Sequence, residues 1–221
     1  RFSAERDGLH AEATYLVSPL KNVMLWHLEL RSDCDRNVTI YPYVELGMME
    51  FMRELQWQCY NKHQLSVYEK DGVLIYRYGV ENQPKPDETP LVYFASDAPA
   101  AGFDCDRDEF VGSYRSEEAP IGLEREHLKN STLFGGDPCF ALELPLTLRA
   151  GEAKSVNVYL GTELTGDEIS KSLAACKAPD FFAASMQKLA ETWEDFFSGF
   201  QCSLPDKDAE TMINIWNPYQ M

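Results

Sequence analysis

Alternation with a period of two runs through the first two-thirds of this 221-residue chain. From residue 23 to 31, Met24, Trp26, Leu28 and Leu30 fall on one face, and His27, Glu29 and Arg31 on the other. That pattern predicts a strand with one buried and one wet side. Leu142, Leu144, Leu146 and Leu148 alternate still more regularly with Glu143, Pro145, Thr147 and Arg149. Arg149-Ala-Gly-Glu152 then predicts a turn into Val156, Val158 and Leu160. Residues 11–17, 38–46, 73–80 and 91–96 read as further strands, and Pro42 marks 38–46 as an edge or a bulge. Short strands separated by turn residues predict a mainly β chain, an antiparallel β-sandwich.

The pattern changes after Gly161. Thr165-Gly-Asp-Glu168 predicts the start of a short helix through Cys176, and Pro179-Asp180 opens a longer one. In it Phe182, Met186, Leu189, Trp193, Phe196 and Phe200 recur at steps of four and three, a wide aromatic stripe that Ser198-Gly199 brings to a stop. Asp206 and Asp208 then open a final helix with Met212, Ile213 and Trp216 on one stripe, and Pro218 ends or kinks it. So much apolar surface on a short helix predicts a docking partner further along, with the chain cut at a domain junction. Arg1 in place of Met points the same way. The expected division is a sandwich over 1–161, a helical linker over 162–204 and the start of another domain over 205–221.

Composition narrows the function classes. A formal net charge of −16 disfavours nucleic acid and anionic membrane surfaces, which need clustered Lys and Arg. No stretch approaches the roughly 18 consecutive apolar residues of a membrane span. Six scattered cysteines (Cys34, Cys59, Cys105, Cys139, Cys176, Cys202), with no C-x-x-C pair, predict reduced and mostly buried thiols in a cytoplasmic protein. No nucleophile elbow, zincin motif, P-loop or dinucleotide fingerprint is present, and no metal ligand set. His10, His27 and His127 stand isolated in sequence, and His63 follows Trp57 and Tyr60 without a partner at fixed spacing. With 36 acids, any two resemble a glycosidase pair.

The densest segment is Gly102-Phe-Asp-Cys-Asp-Arg-Asp-Glu-Phe-Val-Gly-Ser-Tyr-Arg-Ser116. Its arginine forks suit phosphate or sugar hydroxyls, and its carboxylates suit hydroxyls. The bland alternative, which composition favours, is a solvated turn-rich loop whose charges pair with one another. Asn130-Ser-Thr-Leu-Phe-Gly-Gly-Asp-Pro138 reads as a tight turn.

Taken in order, several segments are more specific than any one alone. They are Val38-Thr-Ile-Tyr-Pro-Tyr-Val-Glu45, Tyr93-Phe-Ala-Ser96, Ala101 through Ser116, Leu148-Arg-Ala-Gly-Glu152 and Met212-Ile-Asn-Ile-Trp-Asn-Pro-Tyr-Gln220. Together they resemble the inverting disaccharide phosphorylases of the cellobiose and chitobiose phosphorylase type, glycoside hydrolase family ninety-four, formerly glycosyltransferase family thirty-six. In that family a sandwich and helical linker precede an (α/α)6 barrel. The resemblance therefore implies a partial sandwich lacking its early strands, the linker, and a barrel truncated at its first helix.

It further implies a cytoplasmic, homodimeric hexosyltransferase acting on a β-linked disaccharide or oligosaccharide. Inorganic phosphate would be its co-substrate, with no cofactor and no metal. The family's acid, a barrel aspartate, falls beyond the C-terminus, so no catalytic residue is assigned and the fragment alone is expected to be inactive. Arg107, Arg115 and Asp104 are the expected lip over the substrate or phosphate, contributed across the dimer. The alternatives are a non-catalytic carbohydrate-binding or assembly module, with Trp57 and Tyr60 stacking on sugars, and a glycoside hydrolase of similar plan.

Overall fold

The structure is a computed structural model that describes residues 1–47, 62–79 and 89–220. Within them the strands, in chain order, are β1 (Phe2–Arg6), β2 (Leu9–Val17), β3 (Val23–Ser32), β4 (Arg36–Ile40), β5 (Tyr43–Glu45) and β6 (Leu65–Lys70). They continue with β7 (Val73–Tyr78), β8 (Leu91–Ser96), β9 (Gly102–Asp106), β10 (Leu133–Phe134), β11 (Pro138–Leu148) and β12 (Ala153–Glu163). The helices are α1 (Arg107–Phe110), α2 (Gly166–Cys176), α3 (Phe181–Ser198), α4 (Lys207–Thr211) and α5 (Asn217–Tyr219), with a π-helical turn at Met212–Trp216 between the last two.

Every named strand pair is antiparallel. An 8-stranded sheet runs β1-β2-β3-β12-β8-β7-β6-β10. A smaller sheet is built around β11, with β4 and β5 on one edge and β9 on the other. The register from Leu144↔Ile40 to Cys139↔Glu45 is unbroken, so β4 and β5 are one strand interrupted at Tyr41 and Pro42. Pro42 accepts from the Leu142 N–H (3.1 Å) but has no N–H to return, and the ladder breaks there. Two hairpins close on Asp-Gly turns, Asp7-Gly8 and Asp71-Gly72, all four residues at positive φ as such turns require.

The sandwich core lies between the sheets. Val67, Leu74, Phe94, Val156 and Val158 from the larger one meet Phe140, Leu142 and Leu144 from β11. Phe94 and Phe140 stack at 5.6 Å. The larger sheet also buries its other face. Val23, Leu25, Tyr93 and Tyr159 pack under Ile169, Leu173 and Cys176 of α2 and Phe181 of α3. The capping box between Thr165 and Glu168 fixes where α2 starts. A buried Ser18–Ser185 hydroxyl contact of 2.9 Å ties α3 to the turn after β2.

Several expectations need correction. The second face of β3 is wet only at its far end: Glu29 and Arg31 are exposed, whereas Val23 and Leu25 are buried by the helices and the His27 ring stacks on Phe182 at 4.0 Å. The start of the 102–116 segment is not loop but β9 followed by α1. The 130–138 turn contains the short strand β10, paired with β6. β1 and β6 escaped the period-two reading. β1 is exposed along its whole length and so has no apolar face to betray it. Trp57 and Tyr60 lie outside the described residues, as does the end of the predicted 73–80 strand.

Candidate functional site

The segment singled out in the sequence forms a cover over the outer face of the smaller sheet. Asp106 caps α1 by accepting from the Asp108 N–H at 2.9 Å. Phe110, at the end of that short helix, stacks on Tyr43 at 4.9 Å and joins Val111, Leu128, Cys139 and Ala141 in a small core. The 3-10 turn Ile121–Glu124 returns the chain over this core. A Cβ at Gly122 would meet the Phe110 ring at 2.8 Å, so glycine is what permits the close approach.

Two arginines clamp the cover. Arg107 donates through Nε to Glu45 (2.7 Å) and through Nη2 to Glu117 (2.9 Å). Arg115 pairs with Glu124 and also donates to the Ala119 carbonyl at 3.4 Å. The arginine hydrogen bonds help hold Glu117 and Glu124 below the usual carboxylate range, behind Glu117's own backbone N–H in the first case. A third arginine, not flagged by sequence, works beneath. Arg125 donates to the Glu109 carbonyl (2.8 Å), and Lys129 holds the Glu109 carboxylate ionised.

Asp104 is placed differently from the arginines. It lies fully buried on β9 and accepts from the Ser131 amide (3.1 Å) and hydroxyl (2.7 Å). Its Oδ2 makes no hydrogen bond among the described residues, and Arg125 Nη1 stands 3.9 Å away, a long ion pair. The structure thus brings Arg107, at the start of α1, and Arg115, in the loop that follows, to one surface cover and sets Asp104 under it. The bland expectation that the charges pair with one another describes the arginines well. Sequence reasoning also missed Glu143, which is buried on β11 and accepts from the Leu128 N–H (2.9 Å) and His127 Nδ1 (2.8 Å).

The histidines called isolated in sequence are all engaged. His127 is on Glu143, His27 is 2.7 Å from Asn157 Oδ1, and His10 lies between Glu5 and Asp33. Cys34, Cys105, Cys139, Cys176 and Cys202 are free thiols, and burial pushes Cys105 up to about 12 and Cys176 up to about 11. Among the described residues no His, Cys, Asp and Glu group is arranged to hold a metal ion, and no helix is long and apolar enough to cross a membrane.

A second surface is apolar. The N-terminal half of α3 docks on the sandwich, whereas Trp193, Phe196 and Phe200 stay largely exposed. The C-terminal helical run leans on α3, with Tyr219 at 5.4 Å from Trp193. Asn214, buried, pins that run by bonding both the N–H (2.9 Å) and the carbonyl (2.8 Å) of Cys202. The predicted stripe of Met212, Ile213 and Trp216 is spread by the π turn, which leaves Met212, Ile215 and Trp216 about half exposed.

An antiparallel supersandwich with helices on the outer face of its larger sheet defines the class of domain. The family model described as "Glycosyl hydrolase 94, supersandwich domain" matches residues 1–179, and the chain belongs to that family. The whole chain aligns, at 26% identity, with an N,N'-diacetylchitobiose phosphorylase of Vibrio furnissii, and spans 27% of that protein. It aligns in full, at 29% identity, with the cyclic beta-(1,2)-glucan synthase NdvB of Rhizobium meliloti, and spans 8% of it. Over 59% of the chain it is 28% identical to a 3-O-beta-D-glucopyranosyl-beta-D-glucuronide phosphorylase of Paenibacillus borealis, spanning 17% of that protein. The chain therefore covers a small fraction of the length of its relatives.

Proposed function

We propose that this chain is the sandwich and linker portion of a glycoside phosphorylase that splits a β-linked disaccharide or oligosaccharide with inorganic phosphate. The observation that carries the reading is the family membership over residues 1–179, joined to alignment of the whole chain with 27% of a disaccharide phosphorylase. In this reading the products are an α-sugar 1-phosphate and a shortened sugar, formed with inversion. Phosphate attacks the anomeric carbon on one face while an acid outside residues 1–221 protonates the leaving oxygen on the other. That geometry is inverting glycoside hydrolysis with phosphate in place of water. The fragment alone is inactive, the enzyme is a cytoplasmic homodimer without cofactor, and 205–221 opens the catalytic barrel.

The residues described here contribute the lip. Arg107 and Arg115 hold the 107–124 cover in one shape through Glu45, Glu117 and Glu124, and Asp104 supports it from below through Ser131. Binding groups held on a rigid loop lose little entropy on meeting a ligand. The alignment of the whole chain with 8% of NdvB favours a second reading, in which the same domain serves a larger glucan-building enzyme.

The test is phosphorolysis by the full-length protein against a panel of β-linked disaccharides, with the sugar 1-phosphate followed by NMR. Phosphate-dependent cleavage to the α anomer is expected. Cleavage without phosphate, or a β-sugar 1-phosphate, defeats the proposal, and chain extension from an activated sugar supports the second reading.

A further inference from the structure

Four residues other than glycine hold a positive φ among the described residues: Asp7, Asp71, Asn130 and Tyr114. Asp and Asn tolerate the left-handed region through local side-chain hydrogen bonds, and both aspartates sit in Asp-Gly hairpin turns. Tyr114, at φ 62°, has neither excuse. Its side chain also gives the fold nothing in return, because the residue is fully exposed, at 108%. An exposed aromatic alone is ordinary. An exposed aromatic held in a backbone state that costs free energy points to use, since such strain persists only where surrounding structure imposes it.

The surroundings do impose it. Gly112 precedes it at φ 97°, packed against Ile121 and the Arg115 stem, and its carbonyl accepts from the Arg115 N–H at 3.2 Å. The Ile121 N–H bonds the Val111 carbonyl (3.1 Å) and closes the loop at its base. The two arginine clamps secure the sides. The outcome is a rigid loop with one aromatic ring at its apex.

We infer that Tyr114 is the sugar-contacting residue of the lip, its ring lying against the face of a pyranose of the bound saccharide; this rests on the phosphorolytic reading above. The neighbours favour a carbohydrate over a protein surface. Residues 113 to 119 are all exposed and carry hydroxyls at Ser113 and Ser116 and carboxylates at Glu117 and Glu118, with no second large apolar side chain among them. A protein interface wants a contiguous apolar centre around its anchor. A sugar wants one ring for its C–H face and acceptors for its hydroxyls. Both arginines pair with protein carboxylates, and Tyr114 is the large side chain the loop holds wholly outside that packing.

Steady-state phosphorolysis by full-length Tyr114→Ala, Tyr114→Phe and Tyr114→Gly proteins tests this, with Tm and oligomeric mass measured alongside. Tyr114→Ala and Tyr114→Gly should raise KM for the disaccharide about fivefold, the size expected of one aromatic contact, with kcat within about twofold. Tyr114→Phe should keep KM within about twofold. Tyr114→Gly removes the left-handed penalty, so its Tm should not fall, which separates lost binding from lost folding. An active wild type with unchanged KM in the Ala and Gly variants overturns the inference and leaves the phosphorolytic reading standing. So does a Phe variant as impaired as the Ala variant, or a loss of oligomer without a change in KM. A wild type that shows no phosphate-dependent cleavage overturns the reading itself and this inference with it.

Discussion

Glu143→Gln is the sharpest probe of how the cover is fastened. Glu143 is buried on β11, opposite Gly102, where a Cβ would come within 2.8 Å of its Oε2. Its two oxygens accept from the Leu128 amide at 2.9 Å and from His127 Nδ1 at 2.8 Å. The glutamine keeps the Leu128 bond but makes it neutral, a loss of about 1 kcal/mol. Glu143→Ala strands the buried amide as well and should cost about 2–3 kcal/mol.

The charge also sets a pH signature. Hydrogen bonding to Glu143, then its charge, raises the His127 pKa above the ordinary value. A raised folded pKa means stability that is fully present below the unfolded value of about 6.5 and is lost as pH rises through the folded one. His127 imidazole resonances titrated by NMR should show an elevated midpoint that returns toward normal in Glu143→Gln. Urea unfolding between pH 6 and 8 should lose the corresponding slope. An unshifted His127 midpoint in the wild type, or an unchanged slope in the variant, refutes the account.

Other perturbations follow from the packing. Any Cβ at Gly161 overlaps the Tyr93 ring in the centre of the larger sheet, so Gly161→Ala should lower stability by about 1–3 kcal/mol in denaturant unfolding. Asn214→Ala removes both bonds to Cys202, and limited proteolysis should then cut near the C-terminal helical run while the sandwich stays intact. Burial raises the Cys105, Cys139 and Cys176 thiols, so at pH 8 a thiol reagent should modify exposed Cys34 before those three, which it reaches only after unfolding.

What was legible in the sequence was whatever has a period. The leucine alternation of β11 and the stripe of α3 each announce a face, and each face is found against a partner at least in part. β9 was illegible because only Phe103 and Cys105 reach the sandwich core, while its other face carries Gly102 and Asp104, and a buried Asp104 reads as surface until Ser131 is seen bonding it. The helix-covered part of the second face of β3 was misread because Val23 and Leu25 lead into His27, Glu29 and Arg31, of which Glu29 and Arg31 do face outward while His27 lies against Phe182.

The candidate site shows the same divide in sharper form. Sequence could flag the arginines, since charge density is local, but their acceptors Glu45 and Glu124 come from segments that only the fold brings together. Those carboxylates hold both arginines within the cover, Arg107 through Nε and Nη2 and Arg115 through Nη1. Tyr114 then takes the exposed position that the charges seemed to hold, and it does so through a left-handed φ that no residue pattern encodes. In the proposed lip, a loop whose arginines pair with its own carboxylates offers a saccharide shape and one ring, so its hold on substrate should depend weakly on salt. Its KM for the disaccharide should therefore stay nearly constant as ionic strength rises from low to physiological values, whereas direct arginine contact with phosphate would make the KM for phosphate climb with salt.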